Sequence, residues 1–169
     1  MVTLAYYAPT TLAYTAATNP LALGAATGGV RHLLRIEGAV ALAASVVAYR
    51  AAGWTWWLFG GLFLLPDVSM VGYLANRTFG AALYNAGHTY IAPAALGLAG
   101  WGLGIPALFG PALIWAAHIG FDRLMGYGLK YGTAFGATHL GWRGKRGAAG
   151  DRSGASIVVI GAKAVRCSI

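Results

Sequence analysis

Residues 54–75 read WTWWLFGGLFLLPDVSMVGYLA, twenty-two positions with a single charge, Asp67, and a cluster of tryptophans at the start. A helix needs about 20 apolar residues, at 1.5 Å each, to cross a hydrocarbon core, and this run supplies them. Tryptophans at one end place that end at the lipid–water interface. Comparable runs flank it at about 32–51, 79–100 and 106–126. The breaks between them are short and carry turn chemistry: Arg50 to Gly53, Asn76-Arg77, and Gly102 to Pro106. None of the runs alternates with a period of two, so helices are expected rather than barrel strands. The fold class expected is an all-α membrane protein, a four-transmembrane-helix bundle.

Composition agrees. Of 169 residues 58% are apolar and 9% charged, and the mean hydropathy is +0.63. Soluble domains average about 25% charged residues, so a water-soluble globule is excluded. The length excludes a large transporter built from two repeated bundles. Three segments are expected: an uncharged Ala/Thr-rich leader over 1–30, the transmembrane domain over 31–142, and a basic Gly-rich tail over 143–169. The leader has no basic start, so it does not read as a secretory signal. Residues 1–142 hold six basic and three acidic side chains and residues 143–169 hold six and one, so most of the net +8 belongs to the tail. Basic residues beyond a last span are a topology signal and a contact for anionic lipid, and nucleic acid is not expected as a partner. The lone Cys167 forms no internal disulfide.

Counting cations sets the orientation. With four spans, Arg31, Arg35, Arg77, Arg123, Lys130 and the tail share one side, and only Arg50 lies on the other. The positive-inside rule then puts both termini in the cytoplasm of a bacterial cell, with the chain multi-pass in its inner membrane. Trp54, Trp56, Trp57 and Trp101 fall at the outer interface. Small residues suggest how the helices approach: Ala41, Ala44, Ser45 and Ala48 beside Glu37 on the first span, and Gly60, Gly61, Gly97 and Gly100 on the second and third.

Ionisable residues within spans are functional candidates, because each costs several kcal/mol (roughly 3) unless paired or hydrated. There are five: Glu37, Asp67, His88, His118 and Asp122. Because successive helices reverse direction, all five fall in the cytoplasmic half of the bilayer, and a shared polar pocket is expected. His118 and Asp122 are four apart on one helix face; Tyr84, Asn85 and His88 share another. Pro66 removes a backbone donor beside Asp67. Tyr84, Asn85 and Arg123 are expected to line the pocket, with Arg123 or Arg35 neutralising a carboxylate. Tyr127, Lys130, Tyr131 and Trp142 read as interfacial anchors, and His139 as a cap on the membrane core.

Several chemistries fit this constellation. Asp67 and Asp122 at unequal depth could serve as an acid/base pair on a small apolar or lipid-like substrate, with the imidazoles and Glu37 assisting. His88, His118 and Asp122 could ligate a metal, although their spacing is not a metal signature and no cofactor is specified. The groups could simply bond one another and pin the helices. Ion or solute passage would require a homo-oligomer, since four helices enclose too little volume for a carrier.

The strings Leu34-Arg-Ile-Glu-Gly38, Pro66-Asp-Val-Ser-Met-Val-Gly-Tyr73, Leu83-Tyr-Asn-Ala-Gly-His-Thr-Tyr90, Trp115-Ala-Ala-His-Ile-Gly-Phe-Asp-Arg123, Gly126-Tyr-Gly-Leu-Lys-Tyr131 and Thr138-His-Leu-Gly141 together resemble a family of small bacterial integral membrane proteins catalogued as a domain of unknown function. The resemblance covers roughly residues 31–141. It implies a four-helix membrane protein and supplies no activity. Its strings contain Glu37, Asp67, Asn85, His88, His118 and Asp122.

Overall fold

A computed structural model describes residues 24–143. The leader up to residue 23 and the tail from residue 144 lie outside the described residues. The elements run α1 (Gly28–Ala51), α2 (Trp56–Phe63), a 3-10 helix η1 (Leu65–Leu74), α3 (Arg77–Gly87), α4 (Ile91–Gly102), a 3-10 turn η2 (Pro106–Leu108), α5 (Phe109–Met125) and a two-residue hairpin, β1 (Ala137–Thr138) with β2 (Gly141–Trp142). The fold is mostly helical. Two stretches are long and apolar enough to cross a membrane, Gly28–Ala51 and Trp56–Leu74, and the shorter Ile91–Gly102 is also apolar. Only 17% and 11% of the apolar windows in the two long stretches is buried within the protein. A soluble core helix would be mostly buried, so these helices present their side chains to lipid. Val40, Val47, Trp57, Leu74 and Trp101 are each more than 60% exposed, an outward apolar surface that fits integral membrane character.

Two of the expected continuous spans are broken, each at a proline. Pro66 has no N–H to return to the carbonyl of Leu62, so α2 ends at Phe63 and the chain tightens into ten residues of 3-10 helix. Asp67 sits in the first turn of that segment. The expected third span divides at His88-Thr89-Tyr90, because Pro93 cannot bond the carbonyl of Thr89 four residues earlier.

The longest packed seam joins α1 to α5. On α1 the buried residues are Gly38, Ser45 and Tyr49. Glu37, Ala44 and Ala48 are exposed, so the expected small-residue face is displaced by one residue and only Ser45 of that set is buried. Opposite Gly38 lies Gly120 of α5. A Cβ on Gly120 would stand 2.6 Å from the Leu42 amide nitrogen and 2.7 Å from the Gly38 carbonyl oxygen, so hydrogen at this position is what allows the two backbones to touch. Among the described residues, Gly60 and Gly61 meet no neighbour within 4 Å, contrary to the packing role expected of them.

Helix α5 stops at Gly126, whose φ of +86° is the left-handed conformation favoured by glycine; Gly126 N–H donates to Arg123 O and Tyr127 N–H to Asp122 O. Beyond it lie residues 127–143. They fold into a small lobe in which Ala137, Thr138 and Leu140 are buried. The lobe bonds the start of α1 through Ala26 N–H to His139 O at 2.7 Å.

Candidate metal centre

Four side chains from three segments converge: Asp67 of η1, His88 at the end of α3, and His118 and Asp122 of α5. One ligating atom from each lies within 4.8 Å of all the others. The two Nε2 atoms are 3.2 Å apart. His88 Nε2 is 3.4 Å from Asp67 Oδ1 and 3.6 Å from Asp122 Oδ2. His118 Nε2 is 3.7 and 3.9 Å from the same oxygens. A tetrahedral centre with metal–ligand bonds of about 2.0–2.2 Å has ligand atoms about 3.3–3.6 Å apart. The cluster is therefore already spaced to coordinate a small divalent cation, and the same groups can also exchange protons.

The surroundings of His88 fix the tautomer that this requires of it. His88 Nδ1 lies 2.9 Å from Tyr84 O. A carbonyl only accepts, so Nδ1 carries the proton and Nε2 turns its lone pair to the cluster. That outer hydrogen bond is the usual support of a metal-bound imidazole. Tyr84 also stacks on the His88 ring, with centroids 3.7 Å apart, and its hydroxyl donates to Asp122 Oδ2 at 3.1 Å. His118 is 2% exposed; its Nδ1 is buried with no partner among the described residues. Asp67 is the open member, its side chain 39% exposed against 15% for Asp122.

A helix that ends inside a membrane protein leaves carbonyls that need donors. At the end of α3, Trp115 Nε1–H donates to Gly87 O at 2.6 Å and Arg123 Nη2 donates to His88 O at 3.2 Å. The backbone break that aims His88 into the cluster is thus secured by two residues of α5. Among the described residues, neither Arg123 nor Arg35 makes the ion pair with a carboxylate expected of it from sequence; Arg35 donates to Leu124 O at 2.8 Å. Arg123 instead serves a carbonyl at the break after α3, and Arg35 one in the last turn of α5.

Glu37 is not part of the cluster. It is exposed on α1, because Gly38 rather than Glu37 faces α5. Asn85 is close to the site but works on the backbone: its Oδ1 accepts from Lys130 N–H at 2.7 Å and its Nδ2 donates to Lys130 O at 2.9 Å. Lys130, expected as an interfacial anchor, is 7% exposed. Burial holds its pKa below the ordinary lysine value, against the opposing pull of Asp122 and Asp67. No spacing rule could have found it, since its partners lie about 45 residues away in the chain. His139 accepts the Leu129 N–H on Nδ1 and sits against Arg123 Nη1. Burial, then the Arg123 charge, lowers its pKa.

Two cavities border these segments. One, of about 410 Å³, is lined by Asp67, Asp122, Tyr84, Lys130, Phe135 and Arg143 among others. The second, of about 270 Å³, is apolar, with Leu62, Leu65, Leu96 and Trp115 in its wall.

No curated protein and no solved structure matches the chain. A family model described as a domain of unknown function, DUF4260, matches residues 31–142, about two thirds of the sequence. That match spans the α1–α5 seam, all four residues of the cluster and the lobe that carries Lys130. The chain belongs to the DUF4260 domain family.

Proposed function

We propose that this protein is a membrane-embedded enzyme that binds one divalent transition metal and uses it on an amphiphilic substrate. The observation that carries this is the spacing of two imidazole nitrogens and two carboxylate oxygens, 3.2–3.9 Å across the pairs that include a histidine, with no sulfur among them. Imidazole and carboxylate together suit zinc, iron or manganese. His88, His118 and Asp122 are the fixed ligands: two are nearly buried, and Tyr84 steadies the third. Asp67 lines the larger cavity and, as the more exposed of the two carboxylates, would hold the metal at its exchangeable position and act as a base toward a group bound beside it. Catalytic sites of this kind keep one exchangeable position, which an exposed carboxylate on a 3-10 segment provides. The apolar cavity beside Pro66 and Trp115 supplies space for the hydrocarbon part of a substrate.

The same reading places the chain multi-pass in a bacterial inner membrane, with the 127–143 lobe on the cytoplasmic side. Cations gather at that end, and the tail's basic residues would meet anionic lipid there. Reporter fusions at residue 52 and after residue 169 test this, and a periplasmic tail would refute it.

Elemental analysis of the purified chain tests the metal. About one divalent ion per wild-type chain is expected, with His88→Ala and His118→Ala losing it. Asp67→Asn should retain the metal with weakened affinity. Wild-type protein that folds in detergent and takes up no metal after incubation with zinc, iron or manganese would refute the proposal.

A further inference from the structure

The ammonium of Lys130 is held by aromatic faces. Its Nζ lies 3.4 Å from the Phe135 ring centroid, 4.5 Å from that of Tyr84 and 5.2 Å from that of Tyr73. Among the described residues, no carboxylate oxygen comes within 4.0 Å of it. Its backbone is fixed on both sides by Asn85. Desolvating a lysine costs free energy, which contact with aromatic faces offsets in part. A lysine that served only to balance Asp67 and Asp122 would sit against them. This one is kept apart from them, on the wall of the same cavity.

Charge then indicates what the cavity receives. Two carboxylates, Asp67 and Asp122, and two cations, Lys130 and Arg143, line it. Arg143 stands across Tyr127, with its guanidinium 4.4 Å from that ring's centroid. Adding the divalent ion leaves two positive charges uncompensated. A phosphate monoester dianion cancels them, and a neutral or cationic ligand does not. Its separate oxygens can meet a metal and an ammonium at once, with lysine acting as a point-charge phosphate binder.

We infer that the cavity is a phosphoryl-binding site, in which Lys130 holds one oxygen of a phosphate monoester whose other oxygens face the two-histidine, two-aspartate centre. This rests on the metal reading above and names the substrate class for it. The phosphoryl group could belong to a lipid headgroup or to a small soluble ester, and the chemistry of recognition is the same for both.

The test is titration calorimetry on the full-length, zinc-loaded chain in detergent, with metal content measured on every sample. The probes are inorganic phosphate, hexyl phosphate and hexanol. Both phosphates should bind and hexanol should bind at least tenfold more weakly than hexyl phosphate. Lys130→Met should weaken phosphate at least tenfold while keeping about one zinc per chain, and Lys130→Arg should recover most of the loss. Hexyl phosphate binding tighter than inorganic phosphate points to a lipid source; equal affinities point to a soluble one. If zinc is bound but phosphate is not, or if Lys130→Met binds phosphate like wild type, the inference fails and the metal centre stands. If wild type binds no zinc, both fall. Should Lys130→Met fail to load zinc, the comparison of hexyl phosphate with hexanol on wild type decides, and equal binding refutes the inference.

Discussion

Replacing Gly120 by alanine tests the seam on which the site is built. The new Cβ would stand 2.6 Å from Leu42 N, 2.7 Å from Gly38 O and 3.0 Å from Leu42 Cα. All three are backbone atoms, so no side chain can turn aside. Reaching ordinary contact at about 3.4 Å requires α1 and α5 to part by roughly 0.7 Å. Overpacking of that size costs about 1–3 kcal/mol, part of which the better helix propensity of alanine offsets, by up to about 1 kcal/mol. Gly60→Ala is the matched control, since Gly60 is also helical and meets nothing within 4 Å among the described residues. Measured by thermal unfolding in one detergent, Gly120→Ala should melt roughly 3–10 °C below Gly60→Ala. Gly120 lies between His118 and Asp122 in α5, so metal retention should fall with it. If the two variants melt within about 1 °C of each other, the close backbone approach is not what fixes α5, and the reasoning fails.

Trp115→Phe keeps the ring but removes the donor to Gly87 O, leaving a carbonyl at the end of α3 unsatisfied in an apolar setting. A destabilisation of about 1–3 kcal/mol by thermal or denaturant unfolding is expected, and an unchanged midpoint would show that another donor serves that carbonyl. His139 has a folded-state pKa below its ordinary value near 6.5, so the unfolded chain binds its proton more readily. Its contribution is therefore complete above about pH 6.5 and is lost as pH falls below that value. Comparing melting at pH 7.5 and pH 5.5, wild type should lose more than His139→Gln; equal losses would mean that burial and the Arg123 charge together do not lower the His139 pKa in the folded protein.

Much of the site could be read from spacing and depth alone. Asp67, His88, His118 and Asp122 were placed together because helices that reverse direction bring distant positions to one level. His118 and Asp122 were joined by the four-residue helical repeat. Glu37 obeyed the same depth rule yet lies outside, because depth does not specify which way a residue faces. A one-residue rotation put Gly38 on the seam instead. The break at His88–Tyr90 was not anticipated, although Pro93 was visible. Breaking the helix there depends on Trp115 and Arg123 being present to satisfy the exposed carbonyls, and that is a tertiary fact. Lys130 is buried for the same kind of reason: Phe135 is near in sequence, but Asn85 and Tyr84, which hold its backbone and face its ammonium, lie more than forty residues away.

The most direct test of the central claim is X-ray absorption at the metal edge of the purified, metal-loaded chain. The account predicts a first shell of about four nitrogen and oxygen neighbours at about 2.0–2.1 Å, with the outer-shell scattering of two imidazoles, and loss of one imidazole's signal in His118→Ala. A shell containing sulfur from Cys167 or a methionine, or a spectrum without imidazole scattering, would contradict it.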